Sequence, residues 1–204
     1  MTERSNERGK SIGRLAISDA LKRSFDLLAA SGGLFVFAPI IVLGIVLVRL
    51  ESYGPGLFAQ TRIGRFGQPF ICYKIRTMYS DTIHRPSHEI SAAAITPLGA
   101  HLRRWKFDEL PQLFNVIRGD MSLVGPRPCL ESQQTLIEAR RRRGVLSLRP
   151  GITGEAQVRG VDMSDPERLA AVDAEYLNTV SLVRDVKLIL MTAFGAGRGD
   201  AAHK

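Results

Sequence analysis

Leu27 to Val48 reads LLAASGGLFVFAPIIVLGIVLV, 22 residues without a charge. As a helix this run is roughly 33 Å long, enough to cross the hydrocarbon core of a bilayer. Its apolar residues keep to no single face, which favours lipid over a buried core as the surroundings. A cleaved signal peptide fits poorly, because the run is too long and no small-residue cleavage site follows. Pro39 falls near its centre, where proline removes a backbone donor and kinks a helix. Cations flank both ends: Arg8, Lys10, Arg14, Lys22 and Arg23 before it, Arg49, Arg62 and Arg65 after. A crossing helix would put one basic flank on the far side, against the positive-inside tendency. A hairpin bent at Pro39, with arms of about 11–12 residues, keeps both flanks on one side. From this pattern alone the spanning and the re-entrant helix both stay open.

The rest of the chain alternates more finely. Residues 1–20 are polar and basic and read as a flexible or surface-lying segment. After the apolar run SYGPG marks a turn, and LFAQTRIG and QPFICYKIRTM read as two short strands around Gly64–Gly67. In the second strand Lys74 and Arg76 are two apart and share a face, either as a phosphate clamp or as a solvated edge. Residues 80–95 read as a polar loop. TPLGAHLRRW starts a helix with Thr96 as N-cap and Pro97 in its first turn. DELPQLFNVI and ESQQTLIEARRRR suit two more helices, and RPGITG a loop. Asp165 and Pro166 open a further helix. LVRDVKLILMTAF is a last apolar helix, too short to span, which either docks on the core or lies in the membrane interface.

Composition narrows the partners. The 204 residues carry a net charge of +8, which favours phosphates, nucleic acid or anionic lipid. The cations are mostly arginine, whose forked donors suit phosphate oxygens. Two cysteines, Cys72 and Cys129, make no disulfide framework, and no Cys/His cluster has zinc spacing. The run Arg140–Arg143 reads as a solvated face, a nucleic-acid patch or a lipid contact.

Against this basic background Asp108 and Glu109 stand together in KFDELPQLFNV. An acid at a helix start is ordinarily a cap that complements the dipole. Here, however, Arg103, Arg104 and Lys106 come just before, and Arg118 and the GPRP turn with Arg127 just after. Such a set suits a metal-bound diphosphate: a carboxylate holds Mg2+, the metal bridges phosphate oxygens and arginine neutralises the remainder. A carboxylate can equally be the nucleophile at phosphorus. The residues by themselves reach a phosphoryl-transfer site on a membrane-associated domain.

Six ordered stretches extend that reading: KRSFDLL, YGPGLFAQTRIGRFGQPF, YKIRTM, ITPLGAHLRRWKFDELPQLFNVIRGDMSLVGPRP, LRPGITGEAQV and SLVRDVKLILMT. With these, between Lys22 and Thr192, the chain resembles the bacterial sugar transferases, the monotopic polyprenyl-phosphate phosphoglycosyl transferases. The resemblance implies transfer of a sugar-1-phosphate from a UDP-sugar to polyprenyl phosphate, with release of UMP. It implies Asp108 as nucleophile and Mg2+ site, and Glu109 as a dyad partner that moves a proton or orients the site. It implies Lys74, Arg103, Arg127 and Asp185 as binding residues, with Arg76 a further candidate. Family members break the membrane helix at a proline commonly preceded by serine; here the pair is Ala38–Pro39. Glu155 also departs from the family, standing where an aromatic residue is usual, and an altered surface or membrane contact is expected there.

The expected fold is therefore α+β: a mainly helical, membrane-associated domain with a re-entrant, proline-broken helix, a small β-hairpin and interfacial amphipathic helices. The expected segments are 1–20, a basic tail; 21–50, the helix-break-helix; 51–195, the catalytic domain; and 196–204, a C-terminal tail. Expected partners are a UDP-sugar, polyprenyl phosphate and membrane lipid, with a homodimer left open and no nucleic acid. The expected location is the cytoplasmic face of a bacterial inner membrane, at the first membrane step of a surface-glycan or exopolysaccharide pathway. The competing readings are a membrane-tethered nucleic-acid-binding or regulatory protein and a non-catalytic lipid-binding scaffold. The charge supports the first of these, but no nucleic-acid fold signature does.

Overall fold

The computed structural model describes residues 2–80 and 94–196, with side chains from residue 19 onward; the segment 81–93 and the tail 197–204 lie outside the described residues. Helix α1 (Thr2–Glu51) is a single helix. It takes in most of the segment 1–20 expected to be flexible. It also runs through Pro39, so the break expected at Ala38 and Pro39 is not an interruption of the helix. Proline there costs one backbone donor, and the helix continues on the bonds either side.

One stripe of α1 is buried: Asp26, Ala30, Ile41, Gly44 and Val48, with Leu34, Phe37 and Ile45 partly covered. Steps of three and four put these residues on one helix face. The other face leaves Leu28, Phe35, Val36, Val42, Leu43 and Leu50 exposed. The covered face is held at both ends. Arg23 donates to the carbonyls of Val116 and Ile117 at 2.8 and 3.2 Å. Arg76 donates to the carbonyls of Val48, Ser52 and Tyr53 at 3.3, 2.7 and 2.6 Å. The folded domain thus lies alongside roughly 45 Å of helix, from Arg23 to Ser52.

Strands β1 (Leu57–Ile63) and β2 (Pro69–Ile75) form the expected antiparallel hairpin, with Phe58 opposite Lys74. Helix α2 (Pro97–Arg104) begins as its sequence implies: the Thr96 side chain accepts from the amide of Gly99. The next stretch does not follow expectation. Instead of one helix from Asp108, a single 3₁₀ turn over Phe107–Glu109 precedes α3 (Gln112–Arg118). Asn115 of α3 binds the open edge of β2, accepting from the amide of Tyr73 at 3.1 Å and donating to the carbonyl of Ile71 at 2.7 Å.

RPGITG, expected as a loop, contributes β4 (Gly151–Thr153), which pairs in parallel with β3 (Ser122–Val124). Its partner lies far away in sequence, and a three-residue strand shows no periodicity of its own. The pairing brings GPRP against RPG closely: a Cβ on Gly125 would fall 2.3 Å from the Arg149 carbonyl oxygen, so only glycine fits. Helices α4 (Gln134–Arg142) and α6 (Pro166–Leu177) pack a core of Leu136, Ile137, Ala139, Leu169 and Val172. A second core, of Ala30, Cys72, Leu113, Val116 and Met121, joins α1 to the hairpin and α3. Short α5 (Glu155–Val158) leads into α6, whose first turn has the expected Asp165 cap on the Arg168 amide. Helix α7 (Leu182–Ala193) docks through Leu188 and Asp185, while Val183, Leu190 and nearby Phe194 stay exposed.

Candidate active site

Three separate pieces of chain converge on the turn that carries the acidic pair. Strand β2 supplies Lys74, whose Nζ lies 2.8 Å from Glu109 Oε1. The GPRP turn supplies Arg127, whose Nη2 donates to the same oxygen at 3.0 Å. Helix α2 supplies Arg103, whose Nε donates to Thr77 Oγ1 at 2.8 Å. Gly99 makes this last contact possible, since a Cβ there would fall 2.2 Å from the Thr77 carbonyl oxygen and push α2 away. The acids themselves sit on the 3₁₀ turn, reached through Lys106 in a left-handed conformation (φ 57°). A left-handed non-glycine residue is held only where its surroundings demand it, and here it re-aims the chain between α2 and the pair.

Asp108 is not a cap. The N-cap positions of the 3₁₀ turn and of α3 belong to Lys106 and Pro111, and neither is served by a side chain. Both acids are buried, at 7% and 6% exposure. Burial pushes Asp108 above the usual carboxylate range, and the charge of Glu109 adds to this. The charges of Lys74, Arg103 and Arg127 pull the other way, so this carboxyl lies in the field of three cations. Burial would raise Glu109 as well, but Lys74 and Arg127 outweigh it and hold Glu109 far below the usual range. Two adjacent acids are thus driven apart, the arrangement that assigns them different roles.

Lys74, Arg103 and Arg127 therefore gather at the pair as expected from the sequence, but Arg76 and Asp185 do not. Strand β2 ends at Ile75, so the alternation that would put Arg76 beside Lys74 no longer applies. Arg76 instead caps the last turn of α1, and also donates to Ser52 Oγ at 2.9 Å and Ser80 Oγ at 2.6 Å. Asp185 accepts from Lys22 Nζ at 2.5 Å and from the Tyr176 hydroxyl at 2.6 Å, which ties α7 to α1 and α6.

Glu155 is ion-paired within the domain. Its carboxylate takes Arg159 at 2.8 Å and Arg184 at 2.9 Å, linking α5 to α7. Thr77, Asn115 and Arg62 are not among the site residues expected from the sequence, yet they hold Arg103, the edge of β2 and the Pro128 carbonyl. All three lie inside the stretches that carry the family resemblance, and that was the available signal.

The Arg140–Arg143 run makes no open patch. Arg141 pairs with Glu138, Arg142 and Arg143 pair with Glu167, and Arg140 is buried against Asp173. For Mg2+, no cluster of three His, Cys, Asp or Glu exists among the described residues. Mg2+ commonly takes one or two carboxylates and draws its other ligands from substrate phosphates and water. With Glu109 engaged by two cations, Asp108 is the residue that fits.

Fold and site together define a class: a helix-rich α+β protein with a long apolar helix and a buried acidic pair ringed by cations. The chain belongs to the bacterial sugar transferase family, whose model matches residues 17–198. It is 41% identical over 194 residues to a UDP-glucose:undecaprenyl-phosphate glucose-1-phosphate transferase of Caulobacter vibrioides, covering 90% of this chain and 72% of that one. It is 36% identical to the exopolysaccharide production protein ExoY of Rhizobium meliloti, covering 86% and 85%. It is 35% identical to a UDP-N-acetylgalactosamine-undecaprenyl-phosphate N-acetylgalactosaminephosphotransferase of Aeromonas hydrophila, covering 86% of this chain and 45% of that one.

Proposed function

We propose that this protein transfers a sugar-1-phosphate from a UDP-sugar to polyprenyl phosphate, at an early membrane step of exopolysaccharide or surface-glycan synthesis. The relatives named above act with glucose and with N-acetylgalactosamine, so the proposal names the reaction and not the sugar. The observation that carries it is the buried carboxylate of Asp108, which caps no helix and lies in the field of Lys74, Arg103 and Arg127.

In the proposed first step an Asp108 oxygen bonds to the sugar-proximal phosphorus. The bond from that phosphorus to the bridging oxygen breaks, and UMP leaves with the electron pair. In the second step an oxygen of the lipid phosphate attacks the same phosphorus and Asp108 leaves as a carboxylate. Burial makes Asp108 more basic than a solvated aspartate, and the three cations favour its ionised form. Glu109 is held too low to be an effective base near neutral pH, so its role in this reading is to orient Lys74 and Arg127. Mg2+, when bound at Asp108, would neutralise phosphate charge.

We also propose that the apolar helix enters one leaflet without crossing, on the cytoplasmic side of the inner membrane. The support is the polar-rich domain packed along α1 from Arg23 to Ser52. A perpendicular crossing would bury that domain in hydrocarbon, whereas an immersed outer face with a bend at Pro39 leaves it wet. Basic flanks on the same side agree with the positive-inside tendency.

The reaction is tested with purified protein, a panel of UDP-sugars and undecaprenyl phosphate. UMP release and, without acceptor, a phosphosugar adduct mapped to Asp108 by mass spectrometry are expected. Release of UDP instead would replace this reading with ordinary glycosyl transfer.

A further inference from the structure

The four arginines at the end of α4 divide into two kinds. Arg141, Arg142 and Arg143 sit on the surface with glutamate partners, but Arg140 turns inward and is 3% exposed. Its Nε donates to Asp173 Oδ2 at 2.9 Å, and its Nη2 lies 2.8 Å from the same oxygen. Its Nη1 donates to the backbone carbonyl of Arg127 at 2.9 Å. The side chain of Arg127 reaches Glu109 at 3.0 Å. The next carbonyl of that turn, on Pro128, accepts from Arg62 Nη1 at 3.3 Å. Two consecutive carbonyls are thus held by guanidinium groups arriving from β1 and α4. A buried ion pair is often no more stable than apolar residues of the same volume, so joining α4 to α6 does not by itself account for this one.

We propose that Arg140, oriented by Asp173, is a positioning residue: it fixes the backbone at Arg127 and so aims the guanidinium that faces the acidic pair. The guanidinium fork spans Asp173 on one side and the Arg127 carbonyl on the other, which a single ammonium cannot reproduce. The effect on turnover rests on the transferase reading above; the effect on the GPRP turn does not.

The test uses the full chain carrying Arg140→Met with Asp173→Leu, which keeps volume between α4 and α6 and removes the donor to Arg127. The expected result is an unfolding midpoint near that of the parent and faster hydrogen exchange at the Gly125, Arg127 and Cys129 amides. The kcat/KM for UMP release should fall about 10-fold or more, since small misplacements of a binding group are costly. In an Arg127→Lys background the same pair of substitutions should cost less than about 2-fold further, because residues that act through one another are not additive. Unchanged exchange, an unchanged kcat/KM in an active protein, or a full additional loss in the Arg127→Lys background would overturn the proposal. If the double variant does not fold, Arg140→Lys serves the same comparison, as it keeps the charge beside Asp173 without the fork. If the parent protein turns over no UDP-sugar, the transferase reading fails and the exchange rates alone decide the positioning of Arg127.

Discussion

Glu109 and Asp185 are both buried acids, and each meets a lysine: Lys74 at 2.8 Å for Glu109 and Lys22 at 2.5 Å for Asp185. Both lie in stretches that carry the family resemblance, yet they sit in opposite surroundings. Around Lys22 there are two acids, Asp185 and, at 3.9 Å, Asp26. Neutral donors complete that group: Tyr176 on Asp185, and Ser122 with the Leu123 amide on Asp26. It is a joint between α1, β3, α6 and α7. Around Glu109 the balance is reversed. Two acids face Lys74, Arg103 and Arg127, delivered by a strand, a helix and a turn. A surplus of cations leaves the site able to accept further negative charge, as a diphosphate would bring. Burial and pairing are common to both regions, and the sign of the surplus separates them.

Substitutions that keep size and remove charge should pull the two regions apart. The largest effect is expected for Asp108→Asn, which should lower UMP release by about 10³-fold or more while leaving the thermal midpoint close to that of the parent. A variant that loses stability and keeps its specific activity would erase the distinction. Asp185→Asn should do the reverse. Leaving Lys22 short of its closest acid should cost about 3 kcal/mol in chemical denaturation. The surviving folded fraction should turn over normally. Lys74→Met should reduce kcat/KM by about 10²-fold, the size seen when one preorganised hydrogen-bond donor is removed from a site. Lys22→Met at the joint should lower stability and spare kcat/KM. The smallest effect belongs to Arg143→Gln at the surface pair with Glu167, within about 0.5 kcal/mol and without change in turnover.

Lys74 and Arg76 show where reading from sequence stops. Two apart on an expected strand, they share a face, and that reading is sound only while the strand lasts. Because β2 ends at Ile75, Lys74 reaches the acidic pair and Arg76 the end of α1, where it donates to the Val48 carbonyl of the last turn and to the Ser52 and Tyr53 carbonyls just beyond it. The place of Asp185 away from the acidic pair has a related reason: its partners Lys22 and Tyr176 come from α1 and α6, and no local pattern links them. The same holds for Arg140, which cannot be told from its three neighbours until α6 brings Asp173 against it.

The chain by itself determined what depends on neighbours a few residues apart. The long apolar helix, the hairpin, the caps at Thr96 and Asp165, and an acidic pair set among cations all follow from side-chain periodicity and local backbone bonding. Tertiary structure alone decided that Arg76 is kept from that pair, that Asp108 is not a cap, and that β3 and β4 lock GPRP against RPG. It also decided that α1 lies along the domain with a single apolar face left over. The physical reason is that charge and packing act through space. A buried carboxylate responds to whatever lies within a few ångströms, and in this fold those groups come from strand, helix and turn segments as many as 35 residues from Glu109 along the chain.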